Sequence, residues 1–127
     1  MKKKLSKRQL EVMKILWNNT KPMVASDIVK ANPSLNINTV QACLKVLIKE
    51  KAIEVADIVY SGTVLTRSYR ALISKTDYFN DVYRDIIGGS SASPLIASFI
   101  QTEESLEELN ELQEMITKRK KEIEEDK

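Results

Sequence analysis

In the first part of the chain, apolar positions recur at three- and four-residue steps in three separate runs, a pattern that predicts three helices. In "SKRQLEVMKILWNN", Leu10, Met13, Leu16 and Trp17 share one arc, while Lys7, Glu11, Lys14 and Asn18 share the other. Ser6 followed by Gln9 has capping-box spacing, so the first helix should open there and place Trp17 in the core. After Pro22, "VASDIVKAN" predicts a short second helix. Pro33 disfavours helical geometry at Asn32, and the surrounding Asn and Ser are turn formers. The third helix follows in "NTVQACLKVLIKEKAI", with Asn36 or Asn38 available as its N-cap.

On a helical wheel, Val40, Cys43, Leu44, Leu47 and Ile48 of this third run fall on one side. Opposite them stand Asn38, Gln41, Ala42, Lys45 and Lys49, with no acidic residue until Glu50. A solvated helix face usually mixes both signs of charge, so this face resembles one that reads a DNA groove. Short helix, turn and third helix are the parts of a helix-turn-helix, whose second member enters the major groove. Asn38 and Gln41 can pair with adenine, Ala42 can meet a thymine methyl, and Lys45 and Lys49 can reach guanine or phosphate; Thr39 shares the helix's first turn.

The period then changes to that of strands. In "AIEVADIVYSGTVLTRSYRALI", two runs rich in Val, Ile, Thr and Tyr flank Ser61-Gly62, which predicts a two-stranded hairpin. A helix-turn-helix followed by a two-stranded ribbon is the winged-helix plan. The ribbon tip, with Tyr60, Ser61 and Thr63, together with Arg67 and Arg70, is expected along the phosphate backbone, and Tyr69 and Leu72 are expected to be structural.

Beyond Ile73 the helical period returns. Phe79, Val82, Tyr83 and Ile86 repeat at three and four, "GGSSASP" breaks the pattern, and "PLIASFIQ" restarts it. Ser105 and Glu108 have capping-box spacing before a last helix whose stripe is Leu109, Leu112, Ile116 and Ile123. Helices that cannot bury such faces within one chain are expected to bury them in a second copy. The expected dimer face is Phe79, Val82, Tyr83, Ile86, Leu95, Phe99, Leu106, Leu109, Leu112 and Ile116. The fold class is therefore mainly α with a small β-hairpin wing: a winged helix-turn-helix domain over residues 1–73 and a helical dimerisation domain over 74–127.

Charge separates the two parts. Up to Ile73 there are thirteen Lys and Arg against five Asp and Glu, a balance of +8, and from Ser74 onward seven against thirteen, a balance of −6. An anion-binding module joined to a non-binding one gives this asymmetry. Composition narrows the chemistry further. With no histidine and one cysteine, Cys43, neither an ordinary zinc site nor imidazole catalysis can be built, so no metal, cofactor or enzymatic activity is expected. Cys43 lies on the apolar arc and reads as a core residue. No stretch is apolar enough to cross a bilayer, and "MKKKLSKRQLE" lacks a signal's hydrophobic region, so a cytoplasmic protein without membrane contact is expected.

The segments "LSKRQLEVMKILW", "NTVQACLKVLIKEKAIE", "YRALISKTDYFNDVY" and "LIASFIQTEESLEELNELQEMI", in that order, resemble the penicillinase-repressor family of bacterial winged-helix transcriptional regulators, the BlaI and MecI type with the CopY type as relatives. The resemblance implies a dimeric repressor on a double-stranded DNA operator, released when a membrane-bound β-lactam sensor triggers proteolysis. The family's cleaved bond precedes a Phe, which places the candidate bond here between Ser98 and Phe99, with Ser98 where Asn is common. Three further positions depart from the family: Lys51 stands where Gly is usual, Val46 where a basic residue is, and Gln41 where Arg or Lys is, so the operator sequence does not carry over. The cysteine cluster of the copper-responsive branch is absent from "KRKKEIEEDK". A winged helix that docks protein instead of reading DNA is the alternative, and binding that survives moderate salt would favour it.

Overall fold

In a computed structural model, which describes residues 4–89 and 91–126, the capping box forms as its spacing predicts. The Ser6 hydroxyl accepts from the Gln9 N–H at 3.3 Å and the Gln9 side chain accepts from the Ser6 N–H at 3.1 Å, opening α1 (Lys7–Trp17). Val12, Met13, Ile15 and Leu16 are its buried residues. Next come α2 (Ala25–Ala31) and α3 (Ile37–Lys49). Of the two candidate caps, Asn36 is the one used: its side chain accepts from the Thr39 N–H at 2.8 Å, so Asn38 lies inside the first turn.

The C-terminus of α3 ends in a Schellman motif. Lys51 N–H donates to the Ile48 carbonyl at 3.0 Å and Ala52 N–H to the Leu47 carbonyl at 2.9 Å. That geometry puts Lys51 at φ +61°, a left-handed conformation that costs a residue with a Cβ roughly 1–2 kcal/mol.

The expected ribbon is present but differs in two ways. β2 (Ile53–Ser61) and β3 (Val64–Ala71) are antiparallel with Ser61 opposite Val64, so the two-residue loop is Gly62-Thr63 and not Ser61-Gly62. The loop's first position needs a positive φ, and Gly62 supplies it at +65°. Secondly, the sheet has three strands in the order β1-β3-β2, because β1 (Met23–Val24) pairs with Tyr69 and Ser68. Two residues are too few to show strand periodicity, so this strand escapes a sequence reading. A bulge at residue 56 shifts the register between Val55 and Asp57, and there the buried Ser68 hydroxyl donates to the Asp57 carbonyl at 3.3 Å.

α4 (Lys75–Ile87) belongs to the first compact unit, which runs to residue 86. Tyr78 is buried: its hydroxyl accepts from the Leu5 N–H at 3.0 Å and its ring centre lies 5.9 Å from that of Trp17. The Trp17 indole N–H donates to the Ile73 carbonyl at 2.9 Å, and both rings close the core over the end of the sheet. Leu72, expected to be structural, is 51% exposed, whereas Tyr69 packs against the core. Leu72 lies beyond the last paired residue, Ala71, where side chains no longer alternate against the helices.

The second unit, from residue 87, holds α5 (Ser93–Thr102) and α6 (Leu106–Glu125). Pro94 sits in the first turn of α5, where a missing N–H costs nothing. Only half of the expected capping box forms at Ser105: its hydroxyl accepts from the Glu108 N–H at 3.1 Å, but its own N–H donates to the Glu103 side chain at 3.0 Å. Glu103, two residues upstream, takes the donor that Glu108 would have used. Among the described residues, no helix is long and apolar enough to cross a membrane.

Candidate nucleic-acid interface

The core sets the orientation of α3. Val40, Cys43, Leu44 and Leu47 are buried, which turns Asn38, Gln41, Ala42, Lys45 and Lys49 outward, all of them exposed. Thr39 is half-buried at the flank of this arc. Among the described residues, neither Lys45 nor Lys49 has an ion-pair partner, so both ammonium groups remain available to an anion. Ile37 and Val46 add exposed apolar surface to the same helix at 41% and 38% exposure, a contribution the polar pattern did not single out.

The ribbon supplies the second wall. A cleft of about 580 Å³ opens between α3 and β3, lined by Gln41, Leu44, Lys45, Ile48, Leu65, Thr66, Arg67 and Tyr69. It brings Arg67 to the same concavity as Gln41 and Lys45, a proximity invisible in a sequence where they lie far apart. Arg70 does not join them. It is three residues along β3, on the other face, and is held across the ladder by the Glu54 carboxylate. At the tip, Tyr60 and Thr63 are exposed, while Ser61 is half-buried with its hydroxyl 3.4 Å from that of Ser26.

Cys43, behind the outward arc, is 7% exposed; burial pushes its thiol up, with the nearby Arg8 guanidinium pulling the other way. A protonated thiol packed among aliphatic side chains is inert, which suits a core residue.

The residues assigned to a dimer face are mostly uncovered in the single chain. Phe79, Ile86, Leu95, Phe99, Leu106 and Ile116 are exposed, and Tyr83, Leu109 and Leu112 are half-buried. Phe79 and Tyr83 stack with ring centres 6.0 Å apart. Val82 differs, since it packs against the core of the first unit. Ser98 and Phe99 lie within α5, and the Thr102 hydroxyl is within hydrogen-bonding distance of both their carbonyls, at 3.2 and 3.0 Å.

The profile of the penicillinase repressor family matches residues 5–118, nearly the whole chain. The chain belongs to the penicillinase repressor family. It is therefore a DNA-binding transcriptional repressor and not an enzyme. Solved structures agree on the fold. A mutant of Staphylococcus aureus MepR bound to an oligodeoxyribonucleotide is 16% identical, with a TM-score of 0.53 over 94% of this chain and 80% of that one. A Methanosarcina mazei protein described as a "possible transcriptional regulator" is 22% identical, with a TM-score of 0.50 over 78% of this chain and 80% of that one. No curated protein matches the chain in sequence.

The Gly that the family resemblance implies after α3 has a physical reason in the structure: the site is left-handed, and Lys51 occupies it at φ +61°. At Val46 the usual basic residue is replaced by an exposed aliphatic one, and at Gln41 by a neutral amide facing the cleft. Neither residue carries a charge, so both changes leave the exposed side of α3 less positive than the resemblance implies.

Proposed function

We propose that this penicillinase repressor acts as a homodimer on a palindromic operator, with α3 of each copy in successive major grooves and the wing on the adjoining backbone. The observation that carries this reading is the outward arc of α3, where Asn38, Gln41, Ala42, Lys45 and Lys49 are exposed with both lysines unpaired among the described residues. Asn38 and Gln41 read base edges with paired hydrogen bonds, Ala42 meets a methyl, and Thr39 supports the entry of the first turn. Lys45, Lys49 and Arg67 neutralise phosphate, and Tyr60, Ser61 and Thr63 set the wing's register. One recognition helix covers only a few base pairs, and a two-fold axis places two of them on half-sites ~34 to 36 Å apart. The second unit supplies that axis through its exposed apolar stripes.

Release follows by proteolysis between Ser98 and Phe99. The bond lies in a helix, so α5 must open before a sensor-linked protease can hold it extended. Cutting there detaches α6 and lowers occupancy through lost bivalency.

A duplex enriched from a random library by the full chain provides the test. Affinity should fall by about 10³ to 10⁵ between 50 and 200 mM salt if ~6 to 10 phosphates are contacted. Salt-insensitive binding would exclude this reading. Gln41→Ala should cost ~1 to 3 kcal/mol on the enriched duplex alone, and Lys45→Ala should weaken binding to all duplexes while reducing the salt slope by about 1.

A further inference from the structure

A second cleft, of about 360 Å³, lies within the first unit between the end of α1, the loop into β1 and the end of β3. Small-molecule sites span ~300 to 1,000 Å³, so this one has room for a compact occupant. Leu16, Trp17 and Tyr69 give it an aliphatic and aromatic wall, and Leu72, half-exposed beyond the last paired residue of β3, adds an apolar lip. The Trp17 indole N–H is committed to the Ile73 carbonyl at 2.9 Å, so the indole offers the cleft ring surface and no donor. That bond also fixes the ring before any ligand arrives.

The polar side carries one sign of charge. Lys21 and Arg70 line the cleft, and no carboxylate does among the described residues. Arg70 is held by Glu54, whereas Lys21 is exposed and has no ion-pair partner among the described residues. Two other polar groups are engaged in capping: the Asn19 amide donates to the Ile15 carbonyl at 2.7 Å, and the Ser74 hydroxyl accepts from the Asp77 N–H at 3.0 Å. Thr20, next to Lys21, adds an exposed hydroxyl. One unpaired ammonium at the rim of a concavity with an aromatic wall suits a single negative charge on a flat apolar body.

We propose that this cleft binds a small aromatic monocarboxylate, its ring against Trp17 and Leu72 and its carboxylate on Lys21 and the Thr20 hydroxyl. The site lies wholly within the first unit and needs neither DNA nor a second copy, so it stands apart from the operator reading. An occupant bridges the loop after α1 and the end of β3, and binding there stabilises the folded unit by mass action.

Trp17 is the chain's single tryptophan, so its indole N–H resonance reports on this cleft alone. The full chain is titrated with sodium benzoate, with benzamide as the uncharged analogue of the same shape, cyclohexanecarboxylate as the non-aromatic acid and sodium chloride as the ionic-strength control. Benzoate should shift the resonance saturably, with half-saturation at roughly 1 mM for so small a ligand, and should raise the melting temperature. Benzamide should bind about tenfold more weakly through loss of one charge-assisted hydrogen bond, and cyclohexanecarboxylate about threefold or more weakly through loss of ring stacking. Lys21→Gln should lower benzoate affinity to the level of benzamide and leave benzamide unaffected, while Lys21→Arg should retain benzoate; an unliganded indole resonance at its wild-type position checks that each variant's cleft is intact. Absence of a saturable shift up to about 20 mM benzoate would overturn the site. So would undiminished benzoate affinity in Lys21→Gln, since the carboxylate would then sit elsewhere. Equal affinity for cyclohexanecarboxylate would overturn the aromatic class.

Discussion

The two compact units of this repressor are built from the same kind of amphipathic helix and differ in whether the helices close on one another. Every buried apolar side chain among the described residues lies between Leu5 and Tyr78, and none from residue 87 to 126 is buried. In the first unit, α1, α2 and α3 converge with the sheet, so Met13, Ile28, Leu44, Leu47 and Ile53 share one core. In the second, α5 and α6 leave Leu95, Phe99, Leu106 and Ile116 exposed. Each such side chain gains ~1.5–3 kcal/mol when fully buried. In the proposed dimer, that exposed surface is the part a second copy covers. Charge divides the same way, with cations gathered in the first part and carboxylates in the second. The buried core therefore resides in the first unit, and the proposed reading places DNA contact there and most of the self-association in the second.

Removing the second unit gives the largest effect. A chain ending at Gly88 should stay folded, because it keeps the whole core including Tyr78, and should be a monomer by sedimentation. Its affinity for a palindromic duplex should fall by roughly 10²- to 10⁴-fold as the two half-sites cease to bind one ligand. A truncated chain that still sediments as a dimer would place the interface in the first unit.

A pair of truncated side chains sharpens the contrast. Leu47→Ala should lower stability by ~2 to 5 kcal/mol at every protein concentration, since Leu47 is fully buried within one chain. Phe99→Ala should leave the dilute monomer's melting unchanged and weaken the concentration dependence of melting. Equal behaviour of the two variants across a dilution series would erase the distinction. The smallest effect is confined to the first unit: Lys51→Gly relieves the left-handed residue after α3 and should raise stability by about 1 kcal/mol, read as a higher denaturation midpoint with an unchanged slope.

The legible part of this molecule is the part governed by local rules. The Ser6–Gln9 box, the outward arc of α3 and the hairpin follow from spacing that adjacent residues enforce on one another. What the sequence hides depends on contacts between distant residues. The strand Met23–Val24 exists only because Tyr69 and Ser68 offer it a partner. The period changes at Ile73, yet α4 packs onto the first unit through Tyr78, whose partners are Leu5 and Trp17. Gly62 was visible as a turn residue, but its place as the first loop position needed the register. Similarly, Arg67 and Arg70 look equivalent in sequence, and only the alternation of β3 sends one to the cleft and the other to Glu54.

The division of labour between the units is tested most directly by hydrogen exchange followed over a dilution series of the full chain. Amides of α1 and α3 should keep the same protection at all concentrations, because their core is intramolecular. Protection of α5 and α6 should rise with concentration and saturate as the dimer forms. Protection in α5 and α6 that is high and independent of concentration would contradict the account, since it would mean that the second unit closes without a second copy.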